Sequence, residues 1–366
     1  MPSVERSLTP QANVPLAAFS TIGVGGSARW FARAESIEDV AAAHRWCQER
    51  NLPLFVLGGG SNLIIADAGI EGLVLHAALR GVEMHSRGGD TLVTANAGEP
   101  WDPIVSTTVS HGLAGLECLS GIPGHVGGTP IQNVGAYGQD VSGAVDAVTA
   151  FDRATGGMTT LTSEECRFEY RMSRFKREDV NRFIICAVRF RLRPGQPTAS
   201  YPDVRLYLER RGITAPTVRD MREAVLTIRR GKGMVIDPSD ADTRSVGSFF
   251  MNPLVPVQVH AHIAASEPGP VPAYALPTGD VKIPAAWLIE RSGFVKGHGE
   301  GPVGVSSKHP LALVNRGGAT ARDVLELAVR IKRRVVERFG IWLRPEPVFV
   351  GFTSDADVDY LHQRSD

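Results

Sequence analysis

Between residues 112 and 138 the chain carries eight glycines and two prolines. A segment so rich in both cannot be helix or strand throughout, because glycine gives up backbone freedom with no side-chain contact in return and proline removes a donor. A long irregular loop inside a compact domain is as a rule a functional one. Over the whole chain glycine is 39 of 366 residues, about 11% against an average near 7%. The surplus sits in clusters and not at a fixed period, which is the distribution expected where backbone approaches a ligand.

A length of 366 residues allows two or three domains at about 150 residues each, enough to bury a full core without disulfide or metal staples. Lys+Arg and Asp+Glu balance at 39 each, so there is no electrostatic footprint for nucleic acid or an acidic membrane. Small or neutral partners are expected. Cys47, Cys118, Cys166 and Cys186 form neither a C-x-x-C nor a zinc-ribbon pattern, which fits buried thiols in a reducing compartment. The start, MPSVERSLTPQANVPLAAF, lacks a basic segment followed by an apolar one, and no uncharged apolar run approaches ~20 residues. A cytoplasmic protein without membrane insertion is expected. His298 and His309 stand in loops without partners at metal-ligand spacing, so no metal is expected.

Gly23-x-Gly25-x-x-Ala28 formally fits the dinucleotide fingerprint, but that motif must follow a strand and open a helix. Here residues 29–34 read as a strand, and the helix begins only at Ser36, with Asp39 three positions on as a capping partner. Leu54–Leu57, Gly58-Gly59-Gly60-Ser61-Asn62 and Leu63–Ile65 read as strand, glycine turn, strand. Residues 72–98 alternate in short strands around Gly88-Gly89, and a helix from about Pro103 to His111 closes at Gly112. Further on come strands at 147–151 and 183–192, helices at 203–211 and 217–230, a short helix near 284–291, a strand at 311–315 and a helix over 321–339 ended by Gly340. The Pro-rich segment 253–277 gives no clear element, and boundaries are expected near 80 and near 216–233.

Five constellations could carry chemistry, and one group of basic residues stands beside them. Consecutive N–H groups of Gly58, Gly59 and Gly60 can converge on anionic oxygens, with Ser61 and Asn62 adding donors, although the same residues also suit a tight turn between two buried strands. Ser120-Gly121-Ile122-Pro123-Gly124, followed by Gly127-Gly128 and Gln132-Asn133-Val134-Gly135-Ala136-Tyr137-Gly138, supplies a second glycine-rich wall for a long, phosphate-bearing molecule, or an ordinary irregular loop. Arg171 has the planar fork that grips a carboxylate through two parallel bonds, or is a solvated charge. Ser248 lies between a glycine and two phenylalanines, without the G-x-S-x-G elbow of a nucleophile, leaving a proton donor, a ligand anchor or a plain turn residue. Glu346 is held between Pro345 and Pro347. Arg229, Arg230 and Lys232 close a helix, where they serve its dipole or grip a diphosphate.

Taken in order, VLGGGSNLII, LECLSGIPGHVGGTPIQNVGAYG, FEYRMSRFK, SVGSFFMNP, SSKHPLALVN and LRPEPVFVG resemble the UDP-N-acetylenolpyruvoylglucosamine reductase family over residues 15–352. The resemblance implies an α+β fold: two FAD-binding subdomains of the vanillyl-alcohol-oxidase type and a third, α/β, substrate-binding domain. It implies subdomain limits of 15–80, completed by 341–360, then 81–216, with the substrate domain at 217–340. The implied reaction passes hydride from NADPH to FAD and on to the enolpyruvyl group of a UDP-sugar, giving UDP-N-acetylmuramate for peptidoglycan precursors. By motif, Arg171 and Glu346 resemble the groups that polarise the substrate carboxylate, and Ser248 resembles the proton donor. The two glycine segments resemble the FAD cradle, noncovalent because Gly58 to Asn62 holds no histidine or cysteine. Tyr137, Tyr201, Arg229, Lys232, Asn252 and His309 resemble residues lining the substrate site. Tyr201 belongs to a loop of the family's longer form, here with Pro202 where glycine is common, and Met251 replaces a more polar residue. A monomer is expected. A flavin oxidase of the same binding fold, acting on an alcohol or hydroxy acid, shares the glycine segments but accounts for neither Ser248 nor Glu346. A noncatalytic nucleotide-binding module is argued against by the intact set of three.

Overall fold

The computed structural model describes residues 8–197 and 200–364; the first seven residues, part of the amino-terminal segment read above, lie outside them. Contacts gather the chain into two units. The first takes the chain up to Val14, then Ala28–Gly60 and Ile70–Val235, and the second takes Pro15–Ser27, Ser61–Gly69 and the chain from Ile236 on.

In the first unit, Gln11–Pro15, Ser27–Ala34, Ile70–Ala77 and Leu54–Leu57 lie in that order in one sheet, the last three parallel. Helix α1, Ile37–Arg50, starts at Ser36, whose side chain accepts from the Asp39 N–H while Asp39 caps in return. The dinucleotide fingerprint therefore fails on context, as its sequence implied. The second sheet is antiparallel, ordered Gly157–Thr162, Val145–Asp152, Phe183–Pro194, Asp90–Asn96, Val82–Arg87. The hairpin turns at Gly88-Gly89 as expected, with Arg87 paired to Asp90. Along Phe183–Pro194, buried Val188, Phe190 and Leu192 alternate with exposed Arg189, Arg191 and Arg193, the period-2 pattern of a half-buried strand.

Helix α2, Trp101–Ser110, begins two residues earlier than its proline suggested and buries Trp101, Ile104, Val105 and Val109. The Trp101 indole N–H donates to the Leu119 carbonyl at 3.0 Å, which ties the glycine-rich segment to the helix. Helices α3, Pro202–Arg210, and α4, Val218–Gly231, pack Val204 and Leu208 against Met221, Ala224 and Val225, with Cys118 in the same cluster. The Thr217/Asp220 cap of α4 is formed at both ends. All four cysteines are buried and unpaired, and burial pushes the Cys118 and Cys166 thiols up to about 12.

In the second unit, Leu63–Ile65 pairs in parallel with Val348–Val350, which joins an early strand to a carboxy-terminal one. The Pro-rich segment builds a small sheet of Leu254–Val255, Val281–Lys282 and Tyr274–Ala275 around helix α5, Val257–Ser266. Helix α6 spans Ala285–Arg291, and Val303–Val305 pairs with Leu313–Asn315. Helix α7, Ala321–Phe339, buries Val324, Ala328, Ile331 and Val335 and ends on left-handed Gly340. Lys332 on the same helix is fully buried; its Nζ donates to the carbonyls of Tyr360, Leu361 and Gln363 at 2.9, 2.7 and 2.8 Å, holding the end of α8, Ala356–His362. Among the described residues no helix is long and apolar enough to cross a membrane.

Candidate functional site

Leu54–Leu57 delivers the chain into Gly58-Gly59-Gly60, but the strand beyond the turn does not pair with it. Leu54–Leu57 pairs with Ile70–Ala77, whereas Leu63–Ile65 pairs with Val348–Val350. The turn is therefore not a hairpin closure. In the first unit it lies against the second glycine segment: a Cβ on Gly59 would stand 2.7 Å from the Gly124 Cα and 3.0 Å from the His125 N. Only glycine permits that approach of two backbones. At Gly58, by contrast, nothing lies within 4 Å. Among the described residues, none of the N–H groups of Gly58, Gly59 and Gly60 donates to a backbone carbonyl outside the strand ladders.

His125 adds a buried Nδ1 with no hydrogen-bond partner. Its ring lies 6.0 Å from that of His76, and burial, then His125 and neighbouring arginines, lowers His76 to about 4. A buried imidazole nitrogen without a partner, beside a glycine-rich turn, suits a polar ligand. The other members of the segment are structural anchors as well: the Ser120 hydroxyl donates to Glu117 O at 2.7 Å, and a Cβ on Gly127 would meet Ala97 Cβ at 2.7 Å. Ile122 and Pro123 are half-buried, and Gly128 N–H closes a tight turn on His125 O.

Arg171 sits in a turn closed by the Glu169–Met172 bridge, at φ 56°, and Asn133 and Tyr137 are also left-handed, at 43° and 51°. Such backbones cost of order 1–3 kcal/mol each and persist where the surroundings dictate them. The Arg171 guanidinium donates to Gly135 O at 2.5 Å and to Asn133 O at 3.5 Å. Tyr137 meets Tyr201 edge to face at 5.2 Å, and Lys232 Nζ lies 5.9 Å from the Tyr137 ring while donating to Asp203 at 2.7 Å. Burial, partly offset by Arg229, pushes the Tyr137 phenol up to about 12, so it remains a neutral donor. Arg229 Nη2 donates to Met234 O at 2.7 Å and Gly121 O at 3.3 Å, and its Nε is buried without a partner. Thus the first unit gathers Tyr137, Tyr201, Arg229 and Lys232 beside Gly121.

The second unit holds Ser248, Glu346 and Asn62. Met251 N–H donates to Arg344 O and Glu346 N–H to Phe249 O, both at 2.9 Å, so the two stretches run side by side. Phe249 and Phe250 are buried, rings 5.1 Å apart, and fix the stretch that carries Ser248. Asn62 Nδ2 donates to Glu346 O at 3.1 Å. His309 lies in the loop whose Leu311 carbonyl accepts from Phe249 N–H at 2.8 Å. Asn252 Oδ1 accepts from Ala285 N–H at 2.9 Å and so caps α6.

Sequence reasoning missed Asp102, Arg222 and His125. Arg222 on α4 grips the Asp102 carboxylate of α2 through both guanidinium nitrogens, at 2.7 and 2.8 Å. No local pattern announces that pairing. His125 was visible as the one imidazole inside a glycine run.

Residues 237–350 match the family model described as UDP-N-acetylenolpyruvoylglucosamine reductase, C-terminal domain, and residues 28–162 match an FAD binding domain. The UDP-N-acetylenolpyruvoylglucosamine reductase of Thermobifida fusca is 47% identical over 352 residues, covering 93% of this chain and 98% of that one. That of Streptomyces coelicolor is 45% identical, covering 93% and 90%. Among solved structures, the UDP-N-acetylenolpyruvylglucosamine reductase of Thermus caldophilus superposes with a TM-score of 0.64 at 26% identity, covering 94% of this chain and 99% of that one.

Proposed function

The chain belongs to the UDP-N-acetylenolpyruvoylglucosamine reductase family, and from that membership we propose how its own residues serve the reaction. The protein is an FAD-containing, NADPH-dependent oxidoreductase that reduces the enolpyruvyl group of UDP-N-acetylglucosamine enolpyruvate to UDP-N-acetylmuramate. Bound FAD supplies the hydride relay from NADPH to the enolpyruvyl double bond. The residues present fit that group: within the first unit Gly59 lies against Gly124 and His125, which brings the Gly58 to Gly60 turn to the segment of Ser120 to Gly124 with Gly127 and Gly128, and Ser61 and Asn62 are assigned to the same cofactor by motif. The close approach of Gly59 to Gly124 and the orphaned His125 Nδ1 support this fit.

Hydride arriving at the terminal enol carbon leaves negative charge on the adjacent carbon, conjugated with the carboxylate. Arg171 stabilises that charge. Its fork is already oriented by two carbonyls, so little reorganisation is needed as charge develops. Glu346 shares the carboxylate interaction, and the Ser248 hydroxyl protonates the carbon; a serine is a weak acid, but a carbanion is basic enough to take its proton. Tyr137, Tyr201, Arg229 and Lys232 bind the diphosphate, and Asn252 and His309 line the sugar side. The division into 15–80 with 341–360, 81–216 and 217–340, the monomeric state and the cytoplasmic location belong to the same reading.

The observation that carries the assignment is the pairing of Glu346 with Phe249, which sets Glu346 beside Ser248 although about a hundred residues separate them. Ser248→Ala tests it. NADPH should still bleach the flavin, while reoxidation by the enolpyruvyl sugar should slow by roughly 10²-fold or more. If both half reactions keep their rates, Ser248 is not the donor.

A further inference from the structure

Gly121 is held on both sides of its Cα, by side chains of different elements. Its N–H donates to Asp102 Oδ1 at 2.6 Å, and its carbonyl accepts from Arg229 Nη2 at 3.3 Å. Asp102 is itself clamped by the two guanidinium nitrogens of Arg222, about two helix turns before Arg229 on α4. The pair is partly shielded, with Arg222 16% and Asp102 34% exposed. Burial works against ionisation of Asp102, yet Arg222 and the Gly121 N–H hold its carboxyl below the usual range. Gly121 is left-handed at φ 71°, and a Cβ there would meet Leu226 and Val235 at 2.8 and 3.0 Å. Helix α4 is thus packed directly on this glycine.

We infer that Asp102 and Arg222 are positioning residues that couple the occupancy of Arg229 by a diphosphate to the grip of the Gly121 segment on the flavin. The inference rests on the functional reading above, in which Arg229 meets the diphosphate and Gly121 the FAD. The physical argument is one of leverage. An anion engaging Arg229 redistributes the guanidinium donors between the ligand, Met234 O and Gly121 O. The Gly121 carbonyl belongs to the peptide that joins it to Ile122, and were the preceding peptide also free, the two would absorb that change by rotating about the glycine Cα. With the preceding peptide's N–H pinned on Asp102, and Asp102 pinned on Arg222, the chain is fixed on that side and the change is passed on to Ile122 and the residues after it. By linkage the effect is reciprocal, since whatever tightens the flavin wall when the diphosphate binds also tightens diphosphate binding when flavin is present.

The test follows FAD release from the holoenzyme after dilution, by the rise in free-flavin fluorescence, with and without saturating UDP as the diphosphate probe. In the unmodified protein UDP should slow release at least about five-fold, the lower end of ordinary coupling. In Asp102→Asn and Arg222→Gln, with UDP binding verified by calorimetry, the ratio of the two rates should fall to within two-fold of unity. Two different substitutions guard against one of them misfolding. If release is faster in the variants but the ratio is unchanged, the brace is merely structural and the inference fails. It fails equally if UDP leaves release untouched in the unmodified protein. If that protein holds no FAD, or binds FAD but not UDP, the functional reading itself falls, a result distinguishable because it needs no variant.

Discussion

Replacing Gly59 with alanine places a methyl group where the backbone of Gly124 and His125 already stands. The new carbon would lie 2.7 Å from one Cα and 2.9 Å from the adjoining carbonyl carbon, where ordinary contact begins near 3.4 Å. These neighbours cannot swing aside as a side-chain tip can. Gly124 O accepts from Trp101 N–H at 3.0 Å, and Val126 N–H donates to Glu99 O at 2.9 Å, so the opposing segment is pinned on both sides. The two walls must therefore part by several tenths of an ångström, an overpacking that costs about 1–3 kcal/mol. For a unit of this size that is a fall in Tm of about 2–4 °C per kcal/mol. If the flavin-free protein relieves the strain by letting the walls part while the loaded protein must bear it in full, FAD binds roughly five-fold to 150-fold more weakly. Gly58→Ala is the control, because its Cβ meets nothing within 4 Å and its backbone is not left-handed. Calorimetry of the flavin-free proteins and flavin titration of both variants supply the comparison. Equal Tm values for Gly59→Ala and Gly58→Ala would refute the reasoning, since the close approach of the two glycine segments would then not exist.

Two further outcomes follow from buried titratable groups. His76 is held neutral, chiefly by burial, down to about 4 against an ordinary 6.5, so between those values the unfolded chain binds the proton and the folded one does not. Its contribution is complete above 6.5 and is lost as pH falls toward 4; His76→Gln should flatten the Tm profile in that window, and an unchanged slope would contradict it. Lys332→Met leaves three carbonyls at the end of α8 without their donor, a loss of about 2–4 kcal/mol. Amide exchange over 356–362 should accelerate most, and uniform protection there would count against the role assigned to that lysine.

Much of this architecture was readable locally because its signals are local. Ser36 with Asp39, and Thr217 with Asp220, mark helix starts by mutual hydrogen bonds over three residues, and both caps formed. The α7 stripe of Val324, Ala328, Ile331 and Val335 repeats over about three turns and needs no knowledge of its partner. Helix α5 was not readable: of its ten residues only Ile263 is buried, so the segment lacks an apolar face to announce a helix among prolines. The partner of Leu63–Ile65 was equally hidden, because a three-residue strand pairs with Val348–Val350 through backbone groups that every sequence possesses. In the candidate site, residue types were legible and their support was not. Arg171 was a candidate carboxylate ligand by motif, yet nothing in FEYR foretells a left-handed backbone or two carbonyl props. The Asp102–Arg222 pair joins residues 120 positions apart, a distance at which no pattern constrains charge.

The most direct measurement is an anaerobic visible spectrum of the purified yellow protein, taken before and after one equivalent of NADPH and again after the enolpyruvyl UDP-sugar is added. The account predicts that the flavin bands bleach with NADPH and return with the sugar, without oxygen. Bands that stay bleached until air is admitted would contradict it, as would a protein that carries no flavin and takes up none.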